Sequence, residues 1–305
     1  MTLNKKHSYC LTILISSLAP IIWGSSYIVT TELLPKDRPL IAAFLRCLPA
    51  GIFLILLSRT LPKKEEWKTL IILSLLNFTV FQALLFFAAY RLPGGLAAVL
   101  GATQPLIIML LSWKMDSHKP VILSLFSALI AILAMAVLFI TPDATWALPG
   151  ALAALLAASS MATGSFLAKR WRNELPLLAF TGWQLLIGAL FLAPFAYAFE
   201  APLETLSTRE ILGYLYLSLF GTVIAYLLWF QALSKLASLA VTSLGLLSPI
   251  SAVILGWLLL DQRLSSTSII ALIIALLSIL VLQFSSQKPL QIKEDKLVKN
   301  IRRNT

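Results

Sequence analysis

Arg46 is the residue whose chemistry stands out first, because it is a guanidinium inside a long apolar run. A cation at that depth has to be paired, face water, or hold an anionic group, so it marks a functional position. The nearest acid is Glu32, and two roles follow for the pair: Arg46 docks a carboxylate, or it is held by Glu32 as a structural or gating contact. Two further positions concern backbone chemistry. Pro105 stands four residues after Gly101 and Pro249 four after Gly245, with Gln104 and Ser248 just before the prolines. A proline within a helix deprives the carbonyl four residues back of its donor, and in hydrocarbon that carbonyl needs another partner. Gly101 and Gly245 would thus offer carbonyls to a solute, with Pro105 and Pro249 as hinges. Ordinary packing of small residues is the bland alternative.

The remaining polar and aromatic residues are spread along other apolar runs. One stretch holds Trp23, Ser26 and Tyr27, and another mirrors it with Ser165. Trp23 lies about 15 Å along the run at ~1.5 Å per residue, too deep for an interfacial belt. Phe78 and Gln82, and likewise Thr222 and Tyr226, are spaced by one helical turn, so each pair is expected on one face, with Trp229 nearby. Apolar walls with a few amides and hydroxyls suit an amphipathic organic solute better than a bare ion. Catalytic constellations are missing from the sequence: no GxxxxGK[ST] loop, HExxH pair or GxSxG elbow occurs, and the deep serines lack a histidine or acidic partner. The expectation is a chain without catalytic residues, cofactor or metal site. Cys10 and Cys47 offer neither a disulfide framework nor a CxxC pair.

The elements that position these residues follow from composition. The chain has 305 residues, 59% of them hydrophobic and 12% charged, where soluble domains carry about a quarter charged. Spans of about 20 apolar residues fit ten times. Apolar runs between charged or Pro/Gly punctuation place helices at 11–33, 39–58, 67–90, 94–113, 119–140, 147–168, 176–199, 210–232, 236–259 and 266–285. Pro20 is expected to break the first of them. The net charge of +11 is dispersed between the spans, so it reads as a topology signal and not as a nucleic-acid surface. With the N-terminus in the cytoplasm, that side collects Lys5, Lys6, Arg59, Lys63, Lys64, Lys68, Lys114, Lys119, Lys169, Arg170, Arg172, Lys235 and the tail from Lys288 to Arg303. The other side keeps Lys36, Arg38, Arg91, Arg209 and Arg263. This bias puts both termini inside.

The halves also resemble each other. Leu92, Leu100, Gly101, Pro105 and Trp113 align without a gap on Leu236, Leu244, Gly245, Pro249 and Trp257, while Arg46 and Ala50 fall on Gln184 and Gly188. Five spans per half make the second copy enter from the opposite side. The expected architecture is an all-α polytopic membrane protein of ten transmembrane helices in two inverted five-helix repeats. Its parts are a cytoplasmic N-terminus at 1–10, repeats at 11–140 and 141–286, and a basic cytoplasmic tail at 287–305.

Trp23-Gly24-Ser25-Ser26-Tyr27, Arg46, the Gly101/Pro105 and Gly245/Pro249 helices and the closing Leu260-Asp261-Gln262-Arg263-Leu264 resemble the EamA family of the drug/metabolite transporter superfamily over essentially the whole chain. The acid after the ninth span is usually Glu in that family and is Asp261 here. The resemblance implies a cavity walled by spans 1, 3, 4, 6, 8 and 9, with spans 5 and 10 peripheral. It also implies export of small metabolites, commonly amino acids, or of drugs, by alternating access across the cytoplasmic (inner) membrane. Partners are then a small-molecule substrate and the lipid bilayer, with no nucleic acid and with a homo-oligomer left open. The alternatives are an exchanger or importer of phosphorylated or nucleotide-linked metabolites, which should want more cavity cations than Arg46, and a membrane receptor or assembly factor that moves nothing.

Overall fold

The computed structural model describes the backbone of residues 2–89, 91–92, 96–139, 147–171, 174–201, 205–259 and 265–303, and most side chains between 9 and 285. Among the described residues every regular element is helical. The helices are α1 (Thr2–Leu33), α2 (Pro39–Ser58), α3 (Trp67–Ser74), α4 (Phe81–Ala89), α5 (Leu96–Gly101), α6 (Gln104–Asp116) and α7 (Ile122–Phe139) in the first half of the chain. The second half contributes α8 (Leu148–Arg170), α9 (Leu177–Phe199), α10 (Thr208–Ser218), α11 (Ala225–Lys235), α12 (Ser238–Leu244), α13 (Leu247–Leu259) and α14 (Ser266–Arg303). Eight helices among the described residues are long and apolar enough to cross a membrane, and Ile122–Val137 is a shorter apolar one. Their outward faces carry exposed Leu56, Leu133, Leu156, Leu190 and Ile270. Apolar side chains all around the outside are what a bilayer selects and water does not.

Inside, small residues let helices from the two halves meet closely. A Cβ on Gly51 of α2 would lie 2.6 Å from the Leu186 nitrogen of α9, and one on Gly24 of α1 would lie 2.6 Å from the Ser248 carbonyl of α13. At the edge, α7 and α14 pair through buried Ala131, Met135, Ala275 and Ile279 and a 2.7 Å hydroxyl contact between Ser124 and Ser285.

Several expectations need correction. α1 runs through Pro20 without ending. α14 does not stop near residue 285 as a helix: its apolar span ends at Ser285, but the backbone stays helical to Arg303. The helices of the Gly/Pro motifs are divided in two, not bent around a proline. α5 ends at Gly101 and α6 starts at Gln104, while α12 ends at Leu244 and α13 starts at Leu247. Pro105 and Pro249 thereby occupy first turns, where a helix has no use for their missing N–H. The Gly245 carbonyl is taken at 3.1 Å by the Ser248 N–H, so Pro249 does not leave it free. The motif Leu260–Leu264 lies outside the described residues.

One feature had no announcement in the sequence. Leu75–Val80, between α3 and α4, and Leu219–Ile224, between α10 and α11, are π-helical. A π turn bonds i to i+5 and leaves backbone carbonyls to be satisfied by neighbours, often at functional sites. Leu76 gives its carbonyl to the Ser160 hydroxyl at 2.7 Å, and Gly221 gives its own to Trp23 Nε1 at 2.9 Å and Arg46 Nη2 at 2.8 Å.

Candidate functional site

The two π segments set the middle of the molecule. Gln82 and Tyr226, 144 positions apart, sit one turn beyond them, and Gln82 Nε2 donates to the Tyr226 hydroxyl at 3.0 Å. Trp23 of α1 packs 5.1 Å, ring centre to ring centre, from both Tyr226 and Trp229. These aromatics form the floor of a cavity of about 810 Å³. From the floor the walls pass Ser26, Tyr27, Gly101, Gln104, Gly245, Ser248 and Pro249 and reach Leu34–Asp37, Leu92, Gly256 and Ser268. All of those last positions lie at one end of the helices.

Among the described residues none at the opposite end lines the cavity, and side chains from both halves of the chain meet there. Lys63 Nζ lies 2.5 Å from Glu174 Oε2. Arg170 of α8 pairs with Asp116 at the end of α6. Trp183 Nε1 donates to the Thr60 carbonyl at 2.9 Å, and Lys169 donates to the Leu233 carbonyl at 3.1 Å. The Lys63–Glu174 pair is exposed; its hydrogen bond and charge hold the lysine above and the carboxylate below their ordinary pKa ranges. The cavity is open toward one face and closed toward the other.

Arg46 does not pair with Glu32. It is buried, its Nε donates to Thr222 Oγ1 at 3.1 Å and its Nη2 to the Gly221 carbonyl at 2.8 Å, while Glu32 is exposed on the last turn of α1. The π turn explains the preference: in hydrocarbon its spare carbonyl is a closer and drier acceptor than a carboxylate exposed at the helix end. Arg46 still lines the cavity. Its counterpart Gln184 also stands against a π segment, but as an acceptor: Asn77 Nδ2 donates to Gln184 Oε1 at 3.0 Å, while Gln184 Nε2 donates to the Phe180 carbonyl of its own helix at 3.2 Å.

Of the cavity residues expected from the sequence, Phe78 and Ser165 are not on the wall. Phe78 is fully buried behind it, 4.6 Å from the Tyr226 ring. Phe78 and Gln82 both reach Tyr226, the first against its ring and the second at its hydroxyl, but of the two only Gln82 borders the cavity. Ser165 is also fully buried and accepts from Trp229 Nε1 at 3.3 Å, which fixes the indole from behind. Phe81 also lines the cavity, and the small-residue span 6, expected as a wall, does so through Ala154, Ala157, Ala158 and Met161, residues that sequence reasoning did not single out, as it did not Leu85. The alanine run was a readable signal, since a wall without side chains leaves room. Among the described residues no cluster of His, Cys, Asp and Glu converges where a metal could sit.

Comparison with known proteins now decides the family. The profile of the EamA-like transporter family matches residues 10–140 and again 148–284. The chain belongs to the EamA-like transporter family. It is a multi-pass membrane protein of a transporter family within the drug/metabolite transporter superfamily. Among its relatives, Protein PecM of Dickeya dadantii (strain 3937) is 39% identical over 267 residues, covering 87% of this chain and 90% of that one. The WAT1-related protein At3g02690, chloroplastic, of Arabidopsis thaliana is 30% identical over 292 residues, covering 90% of this chain and 69% of that protein. A solved crystal structure superposes with a TM-score of 0.77 at 18% identity, over 92% of this chain and 98% of the other. At that identity the likeness speaks for the fold alone.

Proposed function

We propose that the protein is a secondary carrier that exports small organic metabolites, amino acids or related compounds, across the cytoplasmic (inner) membrane by alternating access. The observation that carries this reading is the one-sided cavity: it reaches from an aromatic floor at mid-chain depth to one face, while residues from both halves close the other. Its volume of about 810 Å³ is that of a small organic solute site and far exceeds an ion site. Trp23, Tyr226 and Trp229 supply an apolar bed, and Ser26, Gln82, Gln104 and Ser248 supply the few polar contacts that orient a solute.

In this reading the chain crosses the membrane ten times. Residues 11–140 and 141–286 are the two inverted five-helix repeats, with α5–α6 and α12–α13 as divided crossings, and both termini lie in the cytoplasm. Discontinuous helices at matched places in two repeats are the usual wall of a carrier's midplane site. Charge bias makes the closed end, with Lys63, Arg170 and Asp116, the cytoplasmic one, so the described state faces outward.

Metabolite profiling of the medium tests the function. Cells overproducing the protein should release a defined set of small organic solutes. Cells producing Gly101→Trp should not, because a side chain at Gly101 has nothing within 4 Å of its Cβ and projects into open cavity space. Equal media from both strains and from cells lacking the protein would refute the carrier reading.

A further inference from the structure

Among the described residues, the charged ones lining the cavity are Lys36, Asp37 and Arg46. Lys36 and Asp37 lie together in the exposed loop after α1, so their charges offset each other near the mouth. Arg46 is alone deeper down. Its hydrogen bonds from Nε and Nη2 go to neutral acceptors, the Thr222 hydroxyl and the Gly221 carbonyl. Neutral acceptors satisfy N–H groups but leave the charge without a counterion, a costly condition away from water. No carboxylate pairs with it among the described residues. The Ser26 hydroxyl shares its position: a Cβ on Gly221 would meet Ser26 Oγ at 3.1 Å and Arg46 Nη2 at 3.2 Å. The second observation is an orphan acceptor. Gln82 is 1% exposed, lines the same cavity and spends Nε2 on Tyr226, while its Oε1 is buried with no partner among the described residues. A buried amide oxygen left unpaired is as much an unfilled valence as an unpaired cation.

From these groups we infer that the deep end of the cavity is a two-point site for an organic carboxylate that also carries an N–H donor. Arg46, with the Ser26 hydroxyl, takes the carboxylate, and Gln82 Oε1 takes the N–H. This deepens the carrier reading and rests on it. One guanidinium matches one carboxylate, whereas a phosphate dianion would bring more charge than the site can neutralise. A bare organic cation is repelled, because among the described residues the deep cavity offers no acid to set against Arg46. The apolar body of the solute then lies on Trp23 and Trp229.

The test uses the purified full-length protein and three matched probes, with half-saturation measured by thermal stabilisation. N-acetyl-leucine has both groups, 4-methylpentanoate has the carboxylate alone, and N-acetyl-leucinamide has the N–H without the charge. Wild-type protein should prefer N-acetyl-leucine over N-acetyl-leucinamide by at least about tenfold, as a hydrogen bond to a charged group warrants. Arg46→Gln should erase that preference and Arg46→Lys should keep part of it. Gln82→Leu should leave it intact and instead erase the preference of N-acetyl-leucine over 4-methylpentanoate. Should Arg46→Gln fail to fold, Arg46→Lys and Gln82→Leu still decide the two points. Equal binding of N-acetyl-leucine and N-acetyl-leucinamide by wild type, or no stabilisation by either carboxylate, overturns the site. The carrier reading fails separately, by unchanged medium in the Gly101→Trp comparison, which involves none of these probes.

Discussion

Gly164 is the place where the packing behind the cavity is easiest to break by a single methyl group. A Cβ there would lie 2.0 Å from Asn77 Oδ1, 2.7 Å from Asn77 Cγ and 3.1 Å from Leu76 Cβ. Asn77 belongs to the first π segment, is fully buried, and holds Gln184 at 3.0 Å. Gly164→Ala therefore has two outcomes. Either Asn77 swings away and leaves a buried amide on α9 unpaired, costing about 1–3 kcal/mol, or α8 backs off from the π segment, costing about 1–3 kcal/mol as overpacking. The cheaper route sets the loss at about 1–3 kcal/mol, which is about 2–4 °C per kcal/mol in melting temperature for a large chain. Thermal unfolding in detergent measures it. Asn77→Ala removes the atoms that clash, so Gly164→Ala made in that background should cost little, and the double-mutant cycle should show a coupling of about 1–3 kcal/mol. A stable Gly164→Ala protein, or strictly additive losses, would refute this account of the α8 contact.

Pro105→Ala and Pro249→Ala should leave melting temperature and transport close to wild type, because both prolines sit in first helical turns; a large loss from either would restore them as hinges within continuous helices. Cysteines at Lys36 and Glu204 should react with an impermeant thiol reagent on intact cells and one at Lys64 should not, and the reverse pattern would contradict the proposed orientation. For the Lys63–Glu174 pair, the depressed carboxylate makes its contribution complete above the ordinary Glu range and lost as pH falls through the lowered value. The raised lysine makes it complete below the ordinary Lys range and lost as pH rises through the higher value. Labelling of a cysteine at the closed end should thus be flat with pH between those ranges. It should rise at high salt or in Glu174→Gln, as expected of an exposed pair, and the absence of any response to either would remove the pair from the gate.

The gross fold was legible because a bilayer demands long apolar runs, and the described helices fall within a few residues of those runs until α14. The cavity was legible where a polar residue interrupts an aliphatic face, as at Trp23, Ser26, Gln82 and Gln104. What stayed hidden was a change of helical pitch. A π turn has no composition of its own, so neither Leu75–Val80 nor Leu219–Ile224 stood out from the apolar runs around it. The same turn hid the partner of Arg46, since a spare backbone carbonyl at Gly221 cannot be read from side-chain types. The match between Arg46 and Gln184 in the aligned halves was the available clue: both residues stand against a π segment, and only one of them is charged.

Alternating access requires the closed end to open during each cycle, and Lys63 and Glu174 are placed to report it. Their side chains meet at 2.5 Å across the two halves of the chain. With cysteines at both positions, a reducible bifunctional thiol reagent that spans the reach of the lost Lys and Glu side chains should stop the release of solute into the medium, and reduction should restore it, while each single cysteine transports throughout. Undiminished release from fully cross-linked protein would contradict the claim that this end parts to let the solute through.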